Sequence, residues 1–331
     1  MPPAEPKKSR VCVRRRLSVL IALVAVLGAM MLALWPPLMS WIAHVQEGPV
    51  LNRRLGRFNV AWCAGLTIGP FLGGSLFELN PYVPFAAAAA LHLIVVLLAS
   101  ASRAPHVPHH TKELDGPASL PRDRLADLFR LMARVALGFG FLSMGIQRFQ
   151  LATLARHLGI REAVFGAVMF VLSLSMASTF LILGRTHRWH YRAGCLWGAQ
   201  LLLAAATSAL FWADHPYELS LIAAVTGACV GVLYSSSLYY GATGRGKRTS
   251  RMAIHEMLLS AGMLIGSVGS GRLSEAYTLR TPYPLCAALI LAGVVVQMAI
   301  YAAAGGAARP ALLRSRDPKL AERGRSPREL P

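Results

Sequence analysis

Charged side chains are scarce in this chain of 331 residues. They make up 15% of the sequence, and Asp and Glu together number only 15, against 34 Lys and Arg. Soluble domains carry about 25% charged residues, so the composition excludes an ordinary soluble domain. Apolar residues make up 55% and fall in long runs such as LSVLIALVAVLGAMMLALW. Runs of about 20 apolar residues match the hydrocarbon core of a bilayer. We therefore expect an all-α polytopic protein that spans a lipid bilayer.

Cysteine is sparse too, and its pattern excludes a disulfide framework or a thiolate metal site. None of the five cysteines forms a CxxC pair, and such scattered cysteines in apolar runs are typical packing residues. A zinc-protease motif is absent, because His255 and Glu256 are followed by MLL rather than by a second His at the HExxH position. The spans hold no nucleophile–base pair. We expect no enzyme activity, no metal and no bound cofactor.

The excess of Lys and Arg gives a net charge of +19. No nucleic-acid recognition motif accompanies this charge, so we expect no nucleic-acid partner. The cations instead cluster between apolar runs, in RRLGR at 53–57, GRTHRWHYR at 184–192, GRGKRTSR at 244–251 and the tail after Arg309. The positive-inside rule places such loops in the cytoplasm. The expected location is the cell (inner) membrane, with multiple spans and a cytoplasmic C-terminus.

Nine apolar spans are predicted, at 17–43, 57–77, 82–101, 128–152, 162–184, 192–212, 217–241, 252–274 and 282–304. The polar stretch 102–127 is rich in Pro and His, which is typical of a linker. The predicted organisation is a basic tail at 1–16, a partial helix bundle at 17–101, a cytoplasmic linker at 102–127, a six-helix bundle at 128–305 and a basic cytoplasmic tail at 306–331. An odd number of spans places the basic N-terminal tail outside, against the positive-inside rule.

An internal repeat relates residues 54–78 to residues 251–275. A shift of 197 residues aligns eight identical pairs: Arg54 with Arg251, Ala64 with Ala261, Gly65 with Gly262, Ile68 with Ile265, Gly69 with Gly266, Gly74 with Gly271, Leu76 with Leu273 and Glu78 with Glu275. Parallel repeats related by an axis along the membrane normal occur in one large class of transporters. A symmetric protein of this kind would have six spans plus six, whereas three plus six are predicted.

The first copy of the repeat carries glycine and proline residues, which disfavour a helix interior, at fixed spacings. We call this set the glycine signature: Gly56, Gly65, Gly69, Pro70, Gly73 and Gly74. This pattern resembles the antiporter signature of the fifth helix in exporters of the major facilitator superfamily. The loop 184–192 resembles a diverged copy of the family's loop signature: it keeps Gly184 and Arg192 but has Arg188 at an acidic position. The resemblance covers about 17–305.

The resemblance implies a two-bundle fold in which the nine spans correspond to helices four to twelve of the family. The first three helices would then be absent, and we expect a truncated product or a misplaced start. The implied function is transport of a small molecule by alternating access, as proton-coupled export driven by a proton gradient. The alternative is a non-transporting remnant, or a membrane subunit that needs a missing N-terminal segment or a partner chain.

The spacing of the signature predicts a packing surface. Gly65, Gly69 and Gly73 are four residues apart and would form one small-residue stripe that lets another helix approach, while Pro70 would bend the helix. The counterparts in the second copy are Arg251, Gly262, Gly266 and Gly271. A gating role and ordinary close packing fit this spacing equally well.

Polar residues within spans are costly and are therefore candidates for a transport path. His255 and Glu256 lie near the cytoplasmic start of span 252–274, where they could share a proton or form an interfacial pair. Further candidates for a proton or substrate path are Trp35, Asn59, Trp62, Gln147, Gln200, Gln297, Tyr234, Ser235, Ser236 and Tyr239. We expect Arg134 to extend its guanidinium toward the cytoplasmic face.

Overall fold

The computed structural model describes residues 48–80, 82–101, 121–243 and 248–316, together with scattered residues between 19 and 42. The described helices are α1 (Gly48–Leu79), α2 (Val83–Ala101), α3 (Pro121–His157), α4 (Glu162–Arg185), α5 (Ala193–Ala209), α6 (Pro216–Ala242), α7 (Arg248–Ala276) and α8 (Pro282–Arg316). The described residues between 19 and 42 are helical as well, and no strand occurs in this part of the chain. The predicted all-α fold is confirmed.

Five of the described helices are long and apolar enough to cross a membrane: α2, α4, α6, α7 and the part of α8 up to Ala304. The helix α5 is apolar but shorter. The helices α1 and α3 join an apolar segment to a charged N-terminal part, with RRLGR in α1 and PRDRLAD in α3. This set of apolar helices supports a multi-pass membrane protein.

Two helices extend beyond the predicted spans. The helix α3 begins at Pro121, inside the predicted linker 102–127, and Leu125 and Ala126 of that stretch are buried. The helix α8 continues to Arg316, past the predicted start of the tail at 306. Hydropathy marks where a chain is apolar, whereas helix ends are set by local residues. Pro is favoured in the first turn of a helix, and Ala, Leu and Arg are good helix formers.

The C-terminal bundle is organised around α3, which packs against α6, α7 and α8. Glycines permit the closest approach. A Cβ atom on Gly262 of α7 would lie 2.6 Å from the carbonyl oxygen of Gly138, and one on Gly266 would lie 2.2 Å from that of Leu142. The second copy of the repeat therefore uses its glycines for backbone packing, as small residues do between membrane helices.

Buried side-chain amides and hydroxyls join the helices of this bundle. Gln200 of α5 and Gln297 of α8 exchange two hydrogen bonds, of 3.0 and 2.7 Å. Gln147 of α3 donates to Thr226 of α6 over 3.0 Å. In the absence of water such groups must find partners within the protein, so these contacts fix the bundle internally.

The helix that carries the first copy, α1, and the helix that follows it, α2, pack differently. The helix α1 lies against α4 and buries Leu51, Leu55 and Cys63. The helix α2 lies against α1, and none of its residues is buried. By contrast α8, which follows the second copy, buries Tyr283, Cys286 and Ile290 among others.

Candidate functional site

The helices α1 and α4 meet at their predicted cytoplasmic ends. The side-chain amide of Asn52 on α1 donates to the carbonyl oxygens of Leu183, over 2.6 Å, and Thr186, over 3.0 Å. The last carbonyls of a helix have no partner within it. Asn52 donates to two of them from the opposite bundle, and that of Leu183 also accepts from Nε1 of Trp189 over 3.2 Å. One turn further, a Cβ atom on Gly56 would lie 2.7 Å from the Cα atom of Gly184. The backbones of α1 and α4 are therefore in direct contact at this point.

Gly56 lies outside the stripe that is predicted for Gly65, Gly69 and Gly73. Gly56 faces α4, but among the described residues no atom of another helix lies within 4 Å of the positions that Cβ atoms on Gly65 and Gly69 would occupy. The nine residues from Gly56 to Gly65 make about two and a half turns, which places them on opposite faces of α1. Pro70, Gly73 and Gly74 lie within α1, but their surroundings are outside the described part of the structure, so the predicted bend is not tested there.

A small pocket lies beside this contact. It is lined from three helices, by Asn52, Gly56 and Asn59 of α1, Phe180 and Gly184 of α4, and Ser235 and Tyr239 of α6. Its cavity volume is about 10 Å³, room for about one water molecule and far below the ~300–1,000 Å³ of ligand sites. The pocket is therefore too small to hold a small-molecule substrate in this conformation.

Tyr234 is the point at which five helices converge. Its ring is fully buried and stacks on Trp62 of α1, with ring centroids 5.3 Å apart. The His255 ring of α7 meets it edge-on at 5.0 Å. Phe141 of α3 and Phe180 of α4 complete the surroundings, at 6.0 and 5.4 Å. Tyr234 thus links the first copy of the repeat to the C-terminal bundle.

Polar atoms without partners surround this aromatic group. His255 shares a hydrogen bond of 2.9 Å with Ser237 through Nδ1, but its Nε2 has no partner among the described residues. The same holds for the hydroxyl of Tyr234 and for Oε1 of Glu256. We call Tyr234, His255 and Glu256 the central polar cluster. A buried polar atom left unpaired costs about 1–3 kcal/mol, which marks the cluster as a place for a ligand, a proton or water.

Asn59 and Glu256 occupy the same position in the two copies, since 59 + 197 = 256. Both are buried, with exposed fractions of 2% and 6%. Oδ1 of Asn59, like Oε1 of Glu256, has no partner among the described residues. The repeat therefore places one amide and one carboxyl group at equivalent positions, both of them buried.

Other predicted path residues have different surroundings. Gln200 and Gln297 bond to each other and to their own helices, over 3.1 Å to Leu196 and 3.0 Å to Gly293. Their amides are accounted for inside the C-terminal bundle, so the structure does not favour them as path residues. Trp35 is half-buried and packs edge-on against Phe58 at 5.7 Å.

The residues of the predicted loop signature and the remaining residues of the repeat do not come together at one site. Gly184 is at the α1–α4 contact, whereas the side chains of Arg188 and Arg192 are exposed. Arg251 donates through Nε to the carbonyl oxygen of Gly241 over 2.9 Å, at the end of α6. A Cβ atom on Gly271 would meet nothing within 4 Å.

The loop 186–192 is fixed to α6 by aromatic packing that the sequence analysis missed. The ring of His190 stacks on Tyr239 at 4.0 Å, and burial, with a smaller effect from His187, lowers the pKa of His190 to about 3. The N–H of Tyr191 donates to the hydroxyl of Tyr240 over 2.7 Å, which holds Tyr191 at a positive φ of 54°. Three consecutive aromatic residues, Trp189, His190 and Tyr191, were the sequence signal that could have predicted this packing.

Asn52 was missed as well, although its spacing could have revealed it. Asn52, Gly56, Asn59 and Cys63 recur at intervals of four, three and four residues, which places them on one face of a helix. This face, rather than the Gly65 face, is the one covered by α4.

The family model of the Major Facilitator Superfamily matches residues 135–328, more than half of the chain. The chain belongs to the Major Facilitator Superfamily. Its fold is similar to the crystal structure of the human organic anion transporter MFSD10 (TETRAN), with a TM-score of 0.57 and 20% sequence identity. That match covers 78% of this chain and 66% of the neighbour, so this major facilitator chain spans just under two thirds of the neighbour's length. No curated protein matches.

Family and neighbour point to membrane transport of the major facilitator type rather than to an enzyme. At 20% identity the structural likeness shows the fold alone.

Proposed function

We propose that this chain acts in proton-coupled export of a small organic molecule across the inner membrane by alternating access. The observation that carries the proposal is the central polar cluster, which lies where α1 meets the C-terminal bundle and leaves three buried polar atoms unpaired among the described residues. Groups of this kind inside a membrane domain are costly and are retained for function.

The contact of Asn52 and Gly56 with α4 serves as the cytoplasmic gate of this cycle. Its opening requires Asn52 to exchange two helix-end carbonyls for water, and both carbonyls then face the passage. Hydrogen bonds of this type contribute about 0.5–1.5 kcal/mol each in net terms. The gate is therefore strong enough to favour the closed state and weak enough to open during transport.

His255 and Glu256 supply the proton site. Both side chains are buried, at 1% and 6% exposed, and a buried carboxylate without a cation partner is stabilised by taking up a proton. Entry of a substrate beside Tyr234 would make release of that proton favourable by changing the surroundings of the carboxyl group. Such competition between proton and substrate is the basis of antiport.

The test is flux in vesicles. The purified chain would be reconstituted with an imposed pH gradient and a panel of small organic compounds, beginning with organic anions because the structural neighbour is described as an organic anion transporter. We expect Glu256→Gln to abolish gradient-driven flux while substrate counterflow persists. The control is Glu275→Gln, near the other end of α7, where the side chain is 76% exposed. No gradient-driven flux of any compound, or full coupling in Glu256→Gln, would contradict the proposal.

The direction of transport is proposed from the glycine signature, which resembles that of exporters. Vesicles of opposite orientation measure it directly. Export predicts accumulation in inside-out vesicles when protons are concentrated inside them, and accumulation only in right-side-out vesicles would reverse the assignment.

A second candidate, a membrane subunit that needs a further segment or a partner chain, is favoured by the open face of α1. Gly262 and Gly266 are covered by α3, whereas no described residue of another helix covers their counterparts Gly65 and Gly69. We infer that a helix related to α3 covers the α1 face in the working assembly. The native mass of the detergent-extracted protein distinguishes the candidates: active transport by a species of one chain would exclude the second, and a stable complex with another membrane chain would support it.

A further inference from the structure

The carbonyl oxygen of Leu183 accepts two hydrogen bonds at the contact between α1 and α4. Nδ2 of Asn52 lies 2.6 Å from this oxygen, and Nε1 of Trp189 lies 3.2 Å from it. A carbonyl oxygen has two lone pairs and can accept both bonds. The carbonyl oxygen of Thr186 accepts from Asn52 over 3.0 Å and has no second donor in the described part of the chain. The two carbonyls therefore differ in what remains when Asn52 leaves.

The two donors to Leu183 belong to different bundles. Asn52 is part of α1, whereas Trp189 lies in the loop that follows α4. The side chain of Trp189 is 6% exposed, and its ring packs edge-on against those of Tyr239 and Tyr240 of α6, at 5.5 and 6.2 Å. Trp189 is thus fixed to the C-terminal bundle and stays beside Leu183 when α1 moves away.

This arrangement gives the two carbonyls different costs on opening. Thr186 loses the one donor that it has among the described residues, whereas Leu183 keeps the bond from Trp189. An acceptor that is left without a hydrogen bond costs more free energy than one that keeps a second partner. The bond from Trp189 therefore reduces the free energy that separation of α1 from α4 requires.

We propose that Trp189 is a positioning residue of the cytoplasmic gate, which eases opening by keeping the Leu183 carbonyl bonded after Asn52 leaves. This role rests on the proposed function, in which the α1–α4 contact is the gate. Loss of the Trp189 N–H should favour the closed state, because Asn52 then becomes the only side-chain donor to Leu183. A role in packing alone predicts the opposite, since damage to the loop would loosen the contact.

The experiment measures how fast a maleimide labels Cys63, which is buried on the same face of α1 as Asn52, by peptide mass spectrometry of the purified full chain. Trp189 is replaced by benzothienylalanine, whose ring has nearly the same shape but carries sulfur in place of the N–H. We expect labelling to be about 2- to 10-fold slower than in the unchanged protein, the factor that corresponds to one hydrogen bond. An unchanged or faster rate would overturn the proposal.

The matched control is the same replacement at Trp197. Nε1 of Trp197 is buried but has no hydrogen-bond partner among the described residues, so its loss should leave the labelling rate of Cys63 unchanged. An equal slowing at both positions would overturn the proposal, because the effect would not depend on the bond to Leu183. If the chain with benzothienylalanine at position 189 does not fold, Trp189→Phe compared with Trp197→Phe decides.

The variant Asn52→Ala tests whether the two donors act through the same carbonyl. Without the Asn52 amide, Leu183 has the same partner in the closed and open states. Removal of the Trp189 N–H should then no longer slow the labelling of Cys63, and the two changes should be non-additive. Equal slowing with and without Asn52 would overturn the proposal.

Labelling and flux are separate measurements, so the role of Trp189 and the proposed function can fail independently. Gradient-driven flux together with an unchanged labelling rate would overturn the role of Trp189 alone. Slower labelling in a chain that transports no compound of the panel would support the role of Trp189 at the contact and contradict proton-coupled export.

Discussion

The helices α1 and α7 share a glycine frame but bury opposite faces of it. In α7, Gly262 and Gly266 press against the backbone of α3, while Ala253 is exposed. In α1, no helix in the described part of the chain covers the counterparts Gly65 and Gly69, and Gly56, the counterpart of Ala253, presses against Gly184 of α4. The difference shows that a repeated sequence supplies two possible packing surfaces, and that the neighbouring helices decide which one is used.

The largest expected effect comes from filling the equivalent glycines. Gly262→Leu should cost at least about 3 kcal/mol of unfolding free energy, because the new side chain meets backbone rather than a flexible neighbour. Gly65→Leu should cost less than about 0.5 kcal/mol in the isolated chain, as surface substitutions usually do. Denaturation in detergent compares them. Equal losses of unfolding free energy in the two variants would show that the Gly65 face of α1 is packed like the Gly262 face of α7, and would contradict the difference between the two helices.

An intermediate effect is expected at the α1–α4 contact. Gly56→Val and Asn52→Ala should each weaken the contact by about 1–3 kcal/mol. The first acts through overpacking and the second through the loss of the two hydrogen bonds that Asn52 donates to Leu183 and Thr186. Cys63 lies on the same face of α1 and is buried, so a weaker contact should expose it more often. A maleimide should therefore label Cys63 faster in both variants than in the unchanged protein, as measured by peptide mass spectrometry.

The matched control for that experiment is Ala253→Val, which places the same bulk at the equivalent exposed position of α7. It should leave the labelling rate of Cys63 unchanged. An unchanged rate in both Gly56→Val and Asn52→Ala would show that the contact with α4 does not hold α1.

The smallest effect depends on pH and concerns the loop next to Thr186. The pKa of His190 is lowered to about 3, so the unfolded state binds more protons below about pH 6.5 and acid destabilises the folded state. The loss should reach about 1 kcal/mol at pH 5.5. The difference in unfolding midpoint between pH 7.5 and 5.5 should shrink in His190→Phe, which keeps the ring, and should persist in the exposed control His157→Phe.

The sequence predicted the parts of this fold that depend on composition and periodicity. Apolar runs predicted the helices, and the repeat identified Gly262 and Gly266, whose packing the structure bears out. The sequence did not predict which face of α1 is covered, because the covering helix, α4, lies more than 100 residues further along the chain. The start of α3 was missed for a related reason: Leu125 and Ala126 are buried by neighbours, although their own stretch is polar.

The candidate site was predicted in part. His255, Glu256, Tyr234 and Trp62 were candidates from their residue types, and the structure brings Trp62, Tyr234 and His255 into ring contact. Gln200 and Gln297 were candidates on the same grounds, but polarity alone cannot distinguish an amide that lines a passage from one that is paired with a second amide.

That amide pair has a mechanical consequence. Each glutamine gives one N–H to the other and a second to its own helix, so a slide of α5 along α8 by one turn would break both exchanged bonds at once. The pair therefore resists sliding of α5 against α8 and makes this side of the bundle stiff. Motion during a transport cycle would then be concentrated at the joint between α1 and α4, where two hydrogen bonds from Asn52, the Gly56–Gly184 contact and the buried side chains of α1 must part.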